Sequence, residues 1–161
     1  MSQDAASFHQ LYKQYAKDVY RFSYWLCGDP DTAKDITSET FVRIWNSENE
    51  MRFESVKGYL FTIARHLYLR EKQRRGRFSQ LDESIADTAV EPDQVTEHRA
   101  DVERTMKAIQ SLPEIDRTVL LLRAEKDLSY EEIAHLTGLS VSAAKVKVFR
   151  VRARLHLLLQ Q

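Results

Sequence analysis

The stretch that most constrains this chain is its last part, Ser129 to Gln161, which reads SYEEIAHLTGLSVSAAKVKVFRVRARLHLLLQQ. Ser129 followed by Glu132 has the capping-box spacing, in which each residue satisfies the other's backbone N–H at a helix start. The helix that begins there is short and ends near Leu136, because Gly138 supplies the positive φ that a tight turn needs. Ser140 caps a second, longer helix. Ala134 is small where two steeply crossed helices must approach. Together these form the helix-turn-helix pattern, whose second helix lies in the DNA major groove.

At about 100° per residue, Val141, Ala144, Val148, Val151 and Leu155 fall within roughly 80° of one another, a core-facing stripe. Val146 lies opposite that stripe, surrounded by Ser142, Ala143, Lys147, Phe149 and Arg150. A valine at the centre of a solvent face makes sense if a ligand covers it, for example a thymine methyl in the groove. From Val141 onward there are five Lys or Arg and no Asp or Glu. The plainer reading is a solvated basic helix at the edge of a core.

The 161 residues suffice for one domain or two small ones. Gly and Pro are scarce and β-branched alternation is absent, which predicts an all-α protein. The net charge is zero, but its distribution is uneven. Between Arg65 and Arg77 six Lys or Arg face one acid, Glu71, whereas between Leu81 and Arg104 eight acids face two bases. Two basic blocks flanking an acidic one predict two polyanion-binding surfaces on either side of a linker. The one cysteine, Cys27, excludes an intramolecular disulfide and a cysteine metal cluster, and its aromatic neighbours predict a buried structural thiol. There is no signal-peptide pattern and no long apolar run, so direct membrane insertion is not expected and a cytoplasmic protein is.

Three helices are expected in the first half. Phe8, Leu11, Tyr12, Tyr15, Val19, Phe22 and Leu26 recur at helical spacing from about Asp4, and Gly28-Asp29-Pro30 ends that helix as a turn. A second runs from about Asp31 to Asn46, with Ala33, Ile36, Thr40, Phe41 and Ile44 inward. Its Trp45, beside acidic Asp35 and Glu39, reads either as core or as an interface anchor. The polar loop Ser47 to Ser55 carries Arg52 and Phe53, a pair that can receive an unstacked base or anchor the loop. The third helix, Val56 to about Arg75, places Val56, Tyr59, Leu60, Ile63, Ala64 and Leu67 on its apolar face. Arg65, His66, Tyr68 and Arg70 spread over the rest. Basic residues interleaved with Tyr59 and Tyr68 suit phosphate contact and base stacking. A basic helix end alone explains Lys72 to Arg75 but not Arg65.

The acidic, aperiodic segment after Arg77 reads as a linker. Helix resumes near Val95 with Val102, Met106 and Ile109 inward. Leu112-Pro113 opens another helix carrying Ile115, Val119, Leu120 and Leu122. The expected architecture is therefore two small helical domains, 1–76 and 95–161, joined by a flexible acidic linker over 77–94, the second domain a helix-turn-helix.

Four segments now carry a family: DITSETFVRIW (Asp35–Trp45), GYLFTIARHL (Gly58–Leu67), LPEIDRTVLLL (Leu112–Leu122) and LSYEEIAHLTGLSVSAAKVKVFRVRARL (Leu128–Leu155). In this order they closely resemble bacterial extracytoplasmic-function sigma factors, the small two-domain group of the sigma-seventy family. The resemblance runs from about Phe8 to Leu158. It implies a protein that binds core RNA polymerase and directs it to promoters, melting the minus-ten element with the first domain and reading the minus-thirty-five element with the second. Asp35, Glu39, Phe41, Arg43 and Trp45 match the motif that docks on the β′ clamp helices. Arg52 and Phe53 lie in the loop that captures a flipped base, and Tyr59, Arg65 and His66 on the melting helix. Ser142 lies on the groove-facing side, and Lys145, Val146, Lys147, Phe149 and Arg150 match groove-reading positions. The second domain also resembles the part that meets the β flap. An anti-sigma factor is a further partner that the resemblance brings in. No metal, cofactor or small-molecule ligand is implied.

Two departures stand out. The family commonly has Asn where this chain has His66, and a small polar residue where it has Val146, so base preference at both elements is open. The acidic linker would disfavour free DNA and could mimic nucleic acid inside a basic polymerase channel. A stand-alone helix-turn-helix regulator would explain Ser129 to Gln161 but leaves the first domain without a role. A sigma mimic that occupies an anti-sigma factor would keep the helices yet open no promoter. An enzyme is disfavoured, since the five histidines are scattered and no P-loop, HExxH or nucleophile elbow is present.

Overall fold

The computed structural model describes residues 2–47, 55–79, 97–125 and 128–161. Seven helices make up the described residues: α1 (Ser2–Cys27), α2 (Pro30–Asn46), α3 (Val56–Ser79), α4 (Glu97–Gln110), α5 (Glu114–Ala124), α6 (Tyr130–Thr137) and α7 (Val141–Leu159). The base-capture loop positions Arg52 and Phe53, and most of the expected linker, lie outside these residues. Where the linker was expected to begin, at Arg77, α3 continues to Ser79. The expected start of the next helix near Val95 lies outside the described residues, which resume at Glu97 within α4.

The helix boundaries follow from local chemistry. At the α1–α2 turn Gly28 adopts φ +77°, and Asp29 caps α2 by accepting from the Thr32 N–H at 2.9 Å, with Pro30 in the first turn. The capping box of α6 is complete: the Glu132 N–H donates to Ser129 Oγ and the Ser129 N–H to Glu132 Oε2. Gly138, at φ +77°, ends α6, and Ser140 caps α7 through the Ala143 N–H. Pro113 takes the N-cap position of α5, one place before the helix proper.

Helices α1, α2 and α3 pack on one another, as do α4 to α7. The first group closes over Val19, Phe22, Leu26, Ile36, Phe41, Leu60, Phe61 and Ala64, with Phe22 and Phe61 stacked at 4.7 Å between centroids. The second closes over Ile109, Leu112, Val119, Leu122, Ile133, Val148 and Val151. The groups also meet: α1 packs on α4 and α5, and α3 on α6. Two expectations need correcting here. Tyr68, expected among the basic residues on the outer face of α3, is buried, because its hydroxyl meets a guanidinium from α5. Tyr12, expected in the core stripe of α1, is 46% exposed.

Candidate nucleic-acid interfaces

The outer face of α7 is as the helical wheel requires. Ala144, Val148 and Val151 are buried, while Ser142, Lys145, Val146 and Arg150 face solvent and Phe149 is 76% exposed. Exposing a phenylalanine to that extent forgoes a burial gain of roughly 1.5–3 kcal/mol. Lys147 is steered: its ammonium donates to Asp116 Oδ1 at 2.7 Å, which lays the chain along the α5 side of the groove. Lys145 lies over the Tyr130 ring at 5.6 Å, and Arg123 over the same ring at 4.3 Å. The result is a shallow face of cations with an apolar centre, extended by Arg154 and Leu157. Cations fit phosphates, and Val146 and Phe149 fit base methyl groups.

The α3 face differs. His66 is exposed, Tyr59 is half-buried, and Arg65 is neither open nor idle. The Arg65 side chain is 12% exposed and grips Glu114 with two prongs, Nε to Oε1 at 2.9 Å and Nη2 to Oε2 at 3.2 Å. Its Nη1 donates to the Leu136 carbonyl in the last turn of α6. Burial pushes the Glu114 carboxyl up, but Arg65, the Thr118 hydroxyl and the charge of Lys72 together bring it below its ordinary value.

On α2, Asp35, Glu39 and Arg43 are exposed, with Glu39 and Arg43 paired at 3.6 Å. Trp45 is 52% exposed and meets Phe8 edge-on at 4.9 Å, so it is not a core residue. Phe41 is 2% exposed and belongs to the core, packed against Phe8 and Tyr12, at the floor of an apolar groove between α1 and α2. With Val42 and Tyr12, Trp45 also lines this groove.

Comparison with known proteins decides what these surfaces belong to. The family description "Sigma-70 region 2" matches residues 11–78, and "Sigma-70, region 4" matches residues 103–155. The chain is 31% identical over 157 residues to "RNA polymerase sigma factor YlaC" of Bacillus subtilis (strain 168), covering 94% of this chain and 90% of that one. The chain is likewise 31% identical over 154 residues to "ECF RNA polymerase sigma factor SigM" of the same organism, covering 92% of this chain and 93% of that one. The chain belongs to the extracytoplasmic-function group of the sigma-70 family. It is also 31% identical over 155 residues to "ECF RNA polymerase sigma factor SigE" of Mycolicibacterium smegmatis, covering 93% of this chain but 60% of that relative. Among solved structures it resembles the sigma factor RpoE of Bartonella quintana, crystallised with the anti-sigma factor NepR, with a TM-score of 0.80 and 26% identity over 96% of this chain and 97% of that one. Sigma factors of this family are not catalytic.

Sequence reasoning missed several residues of this sigma factor that shape its surfaces. Asp116 orients Lys147, and Tyr130 seats Lys145. Lys57, 6% exposed, pairs with Glu125 at 2.8 Å, and Glu125 also receives Arg21 at 2.9 Å. Arg117, 5% exposed, donates to the carbonyls of Leu26, Gln110 and Leu112 and to the Tyr68 hydroxyl. The available signal was Arg117 itself, a charge two residues before the apolar run of α5 that starts at Val119. Cys27 is partly buried, its thiol donating to the Asp29 carbonyl, and burial pushes its pKa up, which suits an inert thiol. Among the described residues no helix is long and apolar enough to cross a membrane.

Proposed function

We propose that this sigma factor reads the upstream promoter element with α7 and engages the minus-ten element with α3 and the 51–55 loop, while α2 docks on the β′ clamp helices and the second domain meets the β flap. The domains on this reading are 1–76 and 95–161, joined by the acidic sequence between them. The observation that carries it is the outer face of α7: Val146 and Phe149 exposed at 47% and 76% amid Lys145, Lys147 and Arg150, with Ser142 at its entry. Such a face combines phosphate neutralisation with apolar contact to base edges. Trp45, with Glu39 and Arg43 beside it, supplies an amphipathic anchor for a protein partner. Asp35 lies one turn earlier, and Phe41 beneath holds the helix in place. Tyr59, Arg65 and His66 serve the melting side. The protein acts in the cytoplasm, where polymerase and chromosome are. An anti-sigma factor is a candidate partner, since the similar RpoE was solved with one.

The test is run-off transcription with bacterial core polymerase on a library of promoter fragments, with and without the protein. Specific transcripts that depend on it support the reading. Specific duplex binding by the protein alone, without transcripts, would replace it with a stand-alone regulator. Replacing the acids of the linker with Gln should weaken core binding or initiation; unchanged transcription would remove the linker from the account.

A further inference from the structure

Helices α1, α4, α5 and α7 leave a cavity of about 350 Å³ where they meet. Its deepest lining is apolar: Phe22, Ile109 and Leu120 are all buried. Trp25, Leu121 and Leu155 are half-buried walls. Four polar side chains also line it, Arg21, Thr105, Glu125 and Arg152, and the first three are spent inside the chain. The Thr105 hydroxyl donates to the Asp101 carbonyl at 2.8 Å. Glu125 receives Arg21 at 2.9 Å and Lys57 at 2.8 Å. Arg152 differs: it is exposed at the rim and makes no hydrogen bond or ion pair among the described residues. Water in such a space finds few partners on the apolar side, so an apolar occupant displaces it at little cost.

We propose that this cavity is a binding site for a small amphipathic monocarboxylate, its apolar body held against Phe22, Trp25 and Leu155 and its carboxylate on Arg152. Three features select that class. The volume lies at the small end of the range of ligand pockets and is close to that of about a dozen waters in the liquid, which suits a chain or ring system of about ten to twelve carbons. The aromatic and branched walls offer nothing to a polar body, which would leave its own hydrogen bonds unmade. The one unspent group at the rim is a cation whose planar fork matches a carboxylate. A second negative charge on the ligand would find no counterpart, because Glu125 already holds Arg21, and a cationic head would be repelled by Arg152. The cavity shares no residue with the Val146–Phe149 face, so the site stands whether or not α7 reads promoters.

The test titrates the full chain, labelled with nitrogen-15, with sodium decanoate below its micelle concentration. The chain has two tryptophans, and they report on different surfaces. Trp45 packs on Phe8, which lies about 25 Å from Trp25 along α1. The indole N–H signal of Trp25, told from that of Trp45 by the Trp45→Phe variant, should shift on titration while the Trp45 signal stays. Arg152→Gln should weaken decanoate binding about fivefold, the worth of one exposed ion pair, whereas Arg154→Gln, on the same helix but outside the cavity, should not. Decylammonium, with the same chain and the opposite charge, should bind at least about fivefold more weakly than decanoate. Ala124→Phe places a ring at the cavity wall and should abolish the Trp25 shift in a chain that circular dichroism shows to be folded. No Trp25 shift, or a shift of Trp45 alone through the α1–α2 groove, overturns the site. A Trp25 shift that is indifferent to Arg152 and to the charge of the head overturns the carboxylate assignment. If Ala124→Phe does not fold, the wild-type titration and Arg152→Gln decide.

Discussion

The two basic helices of this sigma factor, α3 and α7, look alike in sequence and differ in what surrounds them. Both alternate cations with apolar or aromatic residues. On α7 the cations stand on an open face, and the partners given to two of them, Asp116 for Lys147 and the Tyr130 ring for Lys145, leave Val146 and Phe149 exposed. On α3 the guanidinium of Arg65 is gripped on two edges by Glu114 and on a third nitrogen by a backbone carbonyl. Charge pattern along a helix therefore predicts affinity for anions but not whose anion satisfies it. A carboxylate from elsewhere in the same chain, 49 residues away for Glu114 and Arg65, serves as well as a phosphate.

The sharpest way to break this contrast is to disarm the open face. Lys147→Ala with Arg150→Ala should remove about 2–6 kcal/mol of groove contact, enough to abolish specific run-off transcripts while core binding persists. Transcription at wild-type level would mean that α7 is a solvated basic helix. A second contrast lies in the turns. Gly28 and Gly138 share φ +77°, but a Cβ on Gly28 would meet the Gln110 side chain at 2.9 Å, whereas nothing lies within 4 Å at Gly138. Gly138→Ala should then cost the left-handed strain alone, about 1–2 kcal/mol. Gly28→Ala should cost more, because Gln110 must shift and its bond to the Trp25 carbonyl weakens. Denaturant unfolding of both variants compares the junction with the turn.

This difference also marks what was legible in the sequence. Capping chemistry is local, so Ser129, Glu132 and Ser140 placed the starts of both helices of the motif to the residue, and Gly138 placed the end of the first, expected near Leu136, to within one residue of Thr137. The wheel of α7 held because five apolar residues at helical spacing admit one inward direction. Tyr68, Lys57 and Glu125 were not legible as surface or core, because their environments come from helices distant in the chain. Tyr68 sits on α3 where periodicity allows either side, and only Arg117, 49 residues on, turns it inward. Lys57 is charged and would be read as exposed, yet its ammonium finds Glu125 from α5 and Asp18 from α1. Phe41, read as inward, is inward, and Trp45, read as core or surface, is exposed, because helical spacing on α2 settles the first and not the second.

A smaller effect tests whether Asp116 competes with DNA for Lys147 or positions it. The pair is about one-third exposed on the lysine side, so its own contribution to stability is at most about 1 kcal/mol. Asp116→Asn should leave the fold intact and change duplex binding by no more than about fivefold, which corresponds to that energy. Tighter binding after the change means that Asp116 opposes the phosphate. Weaker binding means that it aims the lysine, and the α7 face then shares with α3 a dependence on carboxylates from α5.

The smallest expected effect concerns the α1–α2 turn. Asp29 Oδ2 accepts from the Thr32 hydroxyl at 2.6 Å and from the Thr32 N–H at 2.9 Å, and Arg75 of α3 stands 3.9 Å away. The Thr32 bonds, with a lesser contribution from Arg75, hold the Asp29 carboxyl below its ordinary value. A group depressed in the folded state binds fewer protons there than in the unfolded chain, so its stabilisation is complete above the ordinary aspartate value and is lost as pH falls through the lower, folded one. Asn is as good an N-cap as Asp but does not titrate. Asp29→Asn should therefore match the wild type closely near neutrality, apart from the weak Arg75 attraction, and lose less stability on acidification. Glu71 and Glu114, also depressed, titrate in both proteins and cancel in the comparison. Parallel stability–pH curves from denaturant melts would show that the Thr32 bonds do not hold the Asp29 charge in solution, and would leave Gly28 and Pro30 to set the turn alone.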